Sequence, residues 1–407
     1  MKRILVLAES LHINETSAGI VSSTMIQALD ETGFELTVLT PANRDYEVTW
    51  FHERVELIEF DYEYSFLSIL DRVPKLRAVS PVFSGSTIAE HDEIRSWRKA
   101  IQKVLATSAF DYIFALGAGG GFRPHLALSQ VTLGVPIVLN IHDPFPMDAY
   151  PAPYAIPPTS GTKKLRKRLG NVISKADKVV FPSNRLMEDM SKLYGIHSRK
   201  AFVLRHFIAE LSDVPTSYKG NESAAQKPVL LHMGTLLGPR NPDNLIDALN
   251  LLLSENPSLS DKLLLRFVGP VSRNHQRIEA GITGNIEVLD FRVSYAQSLE
   301  MIREALGVIV LEAEAEYSPF MPAKLADILK EKKPVLAITP PDSEVRDILG
   351  PKYLYTADSR SVSDIAGMLK KFCDDVVNGS VPSELIEELR FSLTSEGQKQ
   401  TLLEVFN

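Results

Sequence analysis

With 407 residues, 44% hydrophobic and 23% charged, the chain has the composition of a soluble globular protein and the length for two domains of ordinary size. A formal net charge of −7 argues against general nucleic-acid binding, which calls for a basic face. The single cysteine, Cys373, excludes an intrachain disulfide framework and fits a reducing cytoplasm. Its neighbours Leu369, Phe372 and Val376 mark it as a core-facing helix residue and not a nucleophile.

The chain starts MKRILVLAES, an apolar run too short for a signal peptide, and no run approaches membrane-spanning length. The expectation is a soluble, cytoplasmic protein that can still touch a membrane surface. Strands are predicted at 3–8, 35–40, 55–60, 111–116, 136–141, 178–183 and 201–206. Helical patterns fall between most of them, including 18–31 (Val21, Met25, Ile26, Leu29) and 88–107 (Ile94, Trp97, Ile101, Val104, Leu105). Near-continuous apolar strands alternating with amphipathic helices imply a parallel sheet covered on both faces.

Periodicity lapses into polar and turn residues between 209 and 227, which reads as the domain linker. The same grammar then resumes, with strands near 229–233, 264–268, 286–291, 307–312, 334–339 and 352–356 and helical patterns at 360–376 and 382–406. The fold class is therefore α/β, two Rossmann-like doubly wound parallel-sheet domains in succession, 1–208 and 228–385, with 386–407 as a C-terminal helix. Ligands of such sheets sit outside the carboxyl ends of the strands, and two such domains facing each other would enclose a cleft.

Three loops of the first half follow predicted strand ends. Gly19 precedes a helix, where it either lets backbone approach a ligand phosphate or merely shapes the turn. The GAGGG run at 117–121 lacks GxGxxG spacing, because Phe122 occupies the third glycine position, and lacks the Lys-Ser/Thr of a P-loop. It reads as a flexible wall. His142 and Asp143 end the fifth strand before a stiff proline-rich stretch, as a strand cap or as functional groups facing the cleft. KKLRKR, 163–168, is either a solvated helix face or a patch for anionic lipid or phosphorylated substrate.

Two stretches of the second half carry cations at strand ends. Pro228–Leu253 reads as a strand ending in Gly234, a loop with Gly238 and Arg240, and a helix from about Asn241. Strand, glycine loop and helix N-terminus can receive a phosphate, although an ordinary turn with a surface arginine has the same pattern. In 308–341 a buried strand leads to Glu312, Glu314 and Glu316, and Pro319 and Pro322 frame a helix start at Ala323-Lys324-Leu325. A lysine in the first turn opposes the helix dipole, and an anion bound there explains it most simply. Arg240 and Lys324 would then flank a diphosphate, with Glu316 and Asp327 accepting sugar hydroxyls.

The frame G-T-L-L-G-P-R-N-P-D-N-L-I resembles the phosphate-binding loop of the GT-B glycosyltransferases of family 4. Thr235 stands where most members carry arginine, and Arg240 where most carry lysine. Glu316 through KLADILKEKKPVLAI resembles the family's E-x7-E segment, with Glu316 as its first glutamate and Lys324 replacing the second. In a branch that reads P-x-K-L-x-E-Y, the acid corresponds to Asp327. HDPF and FPSNRLMEDMSKLYGI resemble further segments of that branch, so the resemblance covers almost the whole chain.

The resemblance implies a nucleotide-sugar donor held mainly by the C-terminal domain and a saccharide or polyprenyl-linked acceptor held by the N-terminal one. It implies Gly19, Gly234, Thr235, Arg240, Lys324, Leu325 and Asp327 as donor contacts, with His142, Asp143, Arg240, Glu316 and Lys324 serving the transfer. It further implies retention of anomeric configuration, no cofactor or bound metal, a C-terminal helix that can cross back to the first domain, and a role in bacterial surface polysaccharide or glycoconjugate synthesis. The sequence has no D-x-D after a strand and no histidines at metal-ligand spacing. A nucleotide-sugar epimerase on the same architecture and a non-catalytic partner subunit are the competing readings. The epimerase would need acid/base carboxylates near the sugar, and Glu316 is the one evident candidate.

Overall fold

The computed structural model describes residues 2–44, 46–117, 121–132, 134–211, 227–236, 238–271 and 284–407. The chain divides into two units, Met1–Tyr150 with Tyr154–Ser212 and Thr394–Asn407, and Pro151–Pro153 with Asp213–Leu393. In the expected linker, residues 212–226 lie outside the described set.

The first unit is built around Ile4-Leu5-Val6-Leu7, all without solvent exposure, in the strand Arg3–Ala8 (β1). Complete burial on both faces is what an apolar run without alternation demands. After it come Ser17–Glu31 (α1), Glu35–Pro41 (β2), Val55–Phe60 (β3), Pro74–Ser84 (α2), Ile88–Thr107 (α3), Tyr112–Leu116 (β4), Arg123–Leu128 (α4) and Ile137–Asn140 (β5). Ser160–Lys175 (α5), Lys178–Phe181 (β6), Asn184–Tyr194 (α6) and Ala201–Val203 (β7) complete the sheet, whose parallel strands run in the order β3-β2-β1-β4-β5-β6-β7. The order reverses between β1 and β4, so the topological switch point lies there. Trp97 of α3 is fully buried in the core cluster with Ile101, Phe122 and Leu169. Capping boxes start α3 at Thr87 and α5 at Thr159, each satisfying two amides that a helix end would otherwise leave open.

The second unit repeats this order with six parallel strands. They are Val229–Met233 (β8), Leu264–Val268 (β9), Ile286–Leu289 (β10), Gly307–Leu311 (β11), Val335–Thr339 (β13) and Thr356–Asp358 (β15), arranged β10-β9-β8-β11-β13-β15. Tyr317–Ser318 (β12) and Asp342–Ser343 (β14) pair separately. Helices Asp243–Glu255 (α7), Tyr295–Glu304 (α8), Lys324–Lys330 (α9), Glu344–Leu349 (α10) and Val362–Asn378 (α11) connect and cover the strands. Here the order reverses between β8 and β11. Cys373 is buried on α11, as its neighbours require.

Two expectations are corrected. The last strand is Thr356–Asp358 and not 352–356, because the Tyr353 hydroxyl takes the ladder's place at Val335. It accepts from Val335 N at 2.7 Å and donates to Val335 O at 3.0 Å. The helical pattern at 382–406 is two helices, Ser383–Ser392 (α12) and Lys399–Val405 (α13), separated by a stretch in which Thr394 Oγ1 accepts from Gly397 N at 3.1 Å.

The second of these helices belongs to the first unit. Phe406, fully buried, meets Phe34, Tyr112 and Phe114 at ring-centroid distances of 5.4, 5.6 and 5.3 Å. Gln398 clasps the Arg205 backbone, accepting from its N–H at 2.8 Å and donating to its carbonyl at 3.3 Å. Phe406→Ala should therefore destabilise the first unit by about 3–5 kcal/mol through the cavity it leaves. Both tryptophans, Trp50 and Trp97, lie in that unit, so urea unfolding followed by their fluorescence reads the loss directly.

Candidate functional site

The carboxyl ends of β8, β9 and β11 come together through two glycines. Gly234, after β8, has φ +118° and donates to Val268 O at 2.8 Å; Gly269, after β9, has φ +125° and donates to Leu289 O at 3.0 Å. A Cβ on Gly269 would stand 2.8 Å from the Gly234 carbonyl carbon and oxygen, and one on Gly234 would press on Lys324 Nζ at 3.4 Å. Both positions combine a backbone that disfavours side chains with a close approach. Leu236 N continues the contact, donating to Pro270 O at 3.0 Å, and half-buried Thr235 lies between.

The helix that follows begins at Asp243, two residues later than expected, with Asn241 Oδ1 accepting from Asp243 N at 3.2 Å. Asp243 places a carboxylate in the first turn, so the positive charge available to an anion comes from side chains and not from this helix end. Arg240 supplies part of it. Its Nε is buried without a hydrogen-bond partner, and the arginine makes no ion pair among the described residues.

Lys324 supplies the rest. It opens α9, and its ammonium turns back to donate to Met233 O at 2.5 Å. Removal from water pushes this ammonium down to about 7, nearby Arg240 pushes the same way, and Glu312 opposes both. Glu312 follows β11 across the switch point and is 6% exposed. Its Oε1 accepts from Ser318 Oγ at 2.6 Å, and its buried Oε2 has no partner among the described residues. Burial raises this carboxyl to about 7 against the Ser318 hydrogen bond and the charges of Arg240, Lys324 and Arg346. His232, inside β8, is buried with neither ring nitrogen paired, and burial and the two cations hold it well below its ordinary value. Two basic side chains against one carboxyl that burial raises toward its neutral form leave this pocket short of negative charge, as suits a diphosphate.

Other expected residues lie elsewhere. Glu316 is turned to solvent, 81% exposed and paired with Arg360, which also holds Asp358 at 2.8 Å. The carboxyl beside Lys324 is instead Glu312, four residues earlier, where the strand and not the loop sets its position. Leu325 is fully buried in the core, and its N–H is spent on Pro322 O at 3.0 Å. Asp327 accepts from Tyr295 OH of α8 at 2.7 Å, and burial lifts it to about 6. Glu312, Gly269 and His232 are not among the site residues the sequence pointed to, although each is a polar or glycine residue ending or interrupting an apolar strand.

In the first unit, His142 and Asp143 follow β5 with His142 Nε2 at 3.3 Å from Asp143 Oδ2. Burial lowers His142 to about 4, so its imidazole is neutral at pH 7. A Cβ on Gly117 would stand 3.1 Å from His142 Nδ1, so a glycine after β4 makes room for the ring, which stacks on Phe122 at 6.2 Å and 20°. His125 is buried beneath, its Nε2 2.9 Å from Asn140 O. Ala118, Gly119 and Gly120 of the expected flexible wall lie outside the described residues. Glu9, after β1, is buried and bonded to Arg123, which also holds Glu93; the sequence reading missed this cluster. Gly19 shapes its loop: its N–H is capped by Thr16 Oγ1 at 3.1 Å, and a Cβ would collide with the His12 backbone.

The basic run 163–168 lies on α5, and not all of it is available. Arg166 binds the fully buried Asp148 carboxylate at 2.8 Å and Arg168 is half-buried, which leaves Lys163, Lys164 and Lys167 exposed.

Residues 18–209 match the family described as Glycosyltransferase Family 4. No curated protein matches the chain by sequence. Among solved structures, the N-terminal domain of trehalose-6-phosphate phosphatase from Candida albicans superposes with a TM-score of 0.68 at 13% identity, covering 100% of this chain and 96% of that one. The α,α-trehalose 6-phosphate synthase of Burkholderia multivorans gives 0.66 at 12%, covering 100% and 98%. An Escherichia coli trehalose-6-phosphate structure bound with UDP-2-fluoro glucose gives 0.62 at 12%, covering 99% and 98%. The match over residues 18–209 and the superposition over the whole chain agree with the resemblance to family 4, and the chain has the two-domain GT-B fold.

The paired titrations of the second unit give a signed pH dependence. As pH rises through 7, Lys324 loses its positive charge and Glu312 gains a negative one, and both changes oppose a bound diphosphate. Nucleoside-diphosphate affinity should fall roughly tenfold between pH 7 and 8.5, with proton uptake on binding. Calorimetry in buffers of different ionisation enthalpy measures both, and Lys324→Arg, which stays charged, should flatten the profile.

Proposed function

We propose that the protein moves a sugar from a nucleoside-diphosphate sugar, held by its second unit, to a saccharide or lipid-linked acceptor held by its first, with retention of anomeric configuration. The supporting observation is Arg240: a guanidinium with a buried, unpartnered Nε and no ion pair among the described residues, beside Lys324 at the switch point of the sheet. Such a pair neutralises the charge that develops on a departing diphosphate, the task a divalent ion performs elsewhere. Transfer without added metal is part of the reading. The E. coli neighbour bound with UDP-2-fluoro glucose makes a uridine diphosphate sugar the first donor to test. The neutral imidazole of His142 suits an acceptor hydroxyl better than an anion. We place the enzyme in the cytoplasm, in synthesis of bacterial surface polysaccharide or glycoconjugate, with Lys163, Lys164 and Lys167 offering contact to an anionic membrane.

Arg240→Ala and Lys324→Ala should each weaken nucleotide binding by about 1.5–3 kcal/mol and slow transfer, as expected for the loss of a charge-assisted contact to phosphate. Calorimetry with UDP, GDP and ADP measures the loss and names the base; wild-type affinity in both folded variants would remove the site. His142→Ala and Asp143→Ala should lower turnover and spare nucleotide affinity, and the reverse pattern would move them to the donor. Transfer abolished by EDTA and restored by Mg²⁺ or Mn²⁺ would overturn the charge argument.

A further inference from the structure

Seven of the fifteen large apolar side chains that stand exposed among the described residues fall between Tyr64 and Val82. Phe66 is 84% exposed, Leu67 60%, Val73 46%, Ile69 44% and Leu70 42%. Residues Phe66–Arg72 form a 3-10 helix in which no residue is buried. This segment is inverted, with its polar atoms anchoring it inward. Asp92 accepts from Ser65 N and Oγ at 2.6 and 2.7 Å, Asp71 accepts from Ala89 N at 2.7 Å, and Ser96 Oγ accepts from Glu63 N at 2.9 Å. Apolar groups pinned outward in this way mark an interaction surface.

The stretch that follows it is basic in a chain whose net charge is −7. Arg72, Lys75 and Arg77 are exposed on the segment and on α2, and the one acid between residues 66 and 84 is Asp71, already engaged with Ala89. Helix α5 starts against the far end of α2. Ser160 Oγ donates to Val82 O at 2.7 Å, and a Cβ on Gly161 would collide with Pro81 O. That seat sets the start of α5, whose first turns carry the exposed Lys163, Lys164 and Lys167, against the end of α2, and residues 156–169 contain no acid. A second copy of the chain would have to press these like charges together, whereas an anionic bilayer neutralises them and takes up the apolar side chains.

From this we infer that the 64–73 segment inserts into the headgroup region of an anionic membrane, with the cations of α2 and α5 lying on the phosphates around it. This deepens the membrane contact proposed above by naming the inserting element. It is tested without nucleotide or acceptor, so its failure would leave the transfer reading intact. Because Cys373 is the one cysteine and is buried, Ser68→Cys, at a half-buried position of the segment, gives a single labelling thiol for an environment-sensitive fluorophore. Vesicles of phosphatidylcholine with about one-third phosphatidylglycerol should shift its emission to the blue; pure phosphatidylcholine should not, and a label at Ser258→Cys in the second unit should stay unchanged. Changing Phe66, Leu67, Ile69 and Leu70 together to serine should lower vesicle binding at least tenfold and abolish retention at high salt. Changing Lys163, Lys164 and Lys167 to glutamine should remove the preference for anionic lipid. Vesicle binding insensitive to both sets, no blue shift, or a serine variant that instead dissociates a dimer seen by light scattering would overturn the proposal.

Discussion

An ammonium group that gives up water for a single backbone carbonyl governs the second unit. Lys324 reaches Met233 O past Gly234, whose positive φ disfavours a side chain, and Gly234 keeps its backbone angle because Gly269 packs against it without one. Taking a cation out of water costs several kcal/mol, and one neutral carbonyl repays only part of that. The protein relieves the remainder by easing the lysine toward its neutral form, while the buried Glu312 carboxyl, itself raised by burial, opposes that shift. The site is thus electrostatically unsatisfied when empty. A bound diphosphate would restore full charge to the lysine and give the orphaned Nε of Arg240 a partner.

The first unit carries different chemistry at the equivalent place. Its switch-point carboxylate, Glu9, is consumed by Arg123, and that arginine is consumed in turn by Glu93, so no cation is left over for an anion. His142 stands beside this closed cluster as an uncharged ring wedged between Gly117 and Phe122. One sheet order occurs twice, yet the residues at the strand ends gather Arg240 and Lys324 at one switch point and leave no spare cation at the other.

Apolar periodicity alone exposed most of the fold, because parallel strands buried on both faces leave continuous runs such as Ile4–Leu7 and Val308–Leu311. Local sequence could not show that the Tyr353 hydroxyl would take the sheet's place at Val335, since both partners are strand-like by composition. Nor could it distinguish Glu312 from Glu316. Two residues of the same type, four apart, are separated only by where the strand stops, and strand ends are set by neighbours distant in sequence. Phe66–Leu70 reads as core material by composition and is exposed only because its polar anchors face inward. Arg240 and Lys324 were legible for the opposite reason: a cation beside a glycine loop or at a helix start is locally out of place.

The return of Thr394–Asn407 to the first unit bears on the order in which this chain can be made. Translation delivers the strands of the first unit early, but the hydrophobic floor formed by Phe34, Tyr112 and Phe114 stays open until Phe406 has left the ribosome. Asp213–Leu393 of the second unit is synthesised in between. Vectorial synthesis therefore does not complete these units in N-to-C order, and a chain cut after residue 393 would carry the second unit tethered to an unsealed first one, an apolar surface of the kind chaperones recognise.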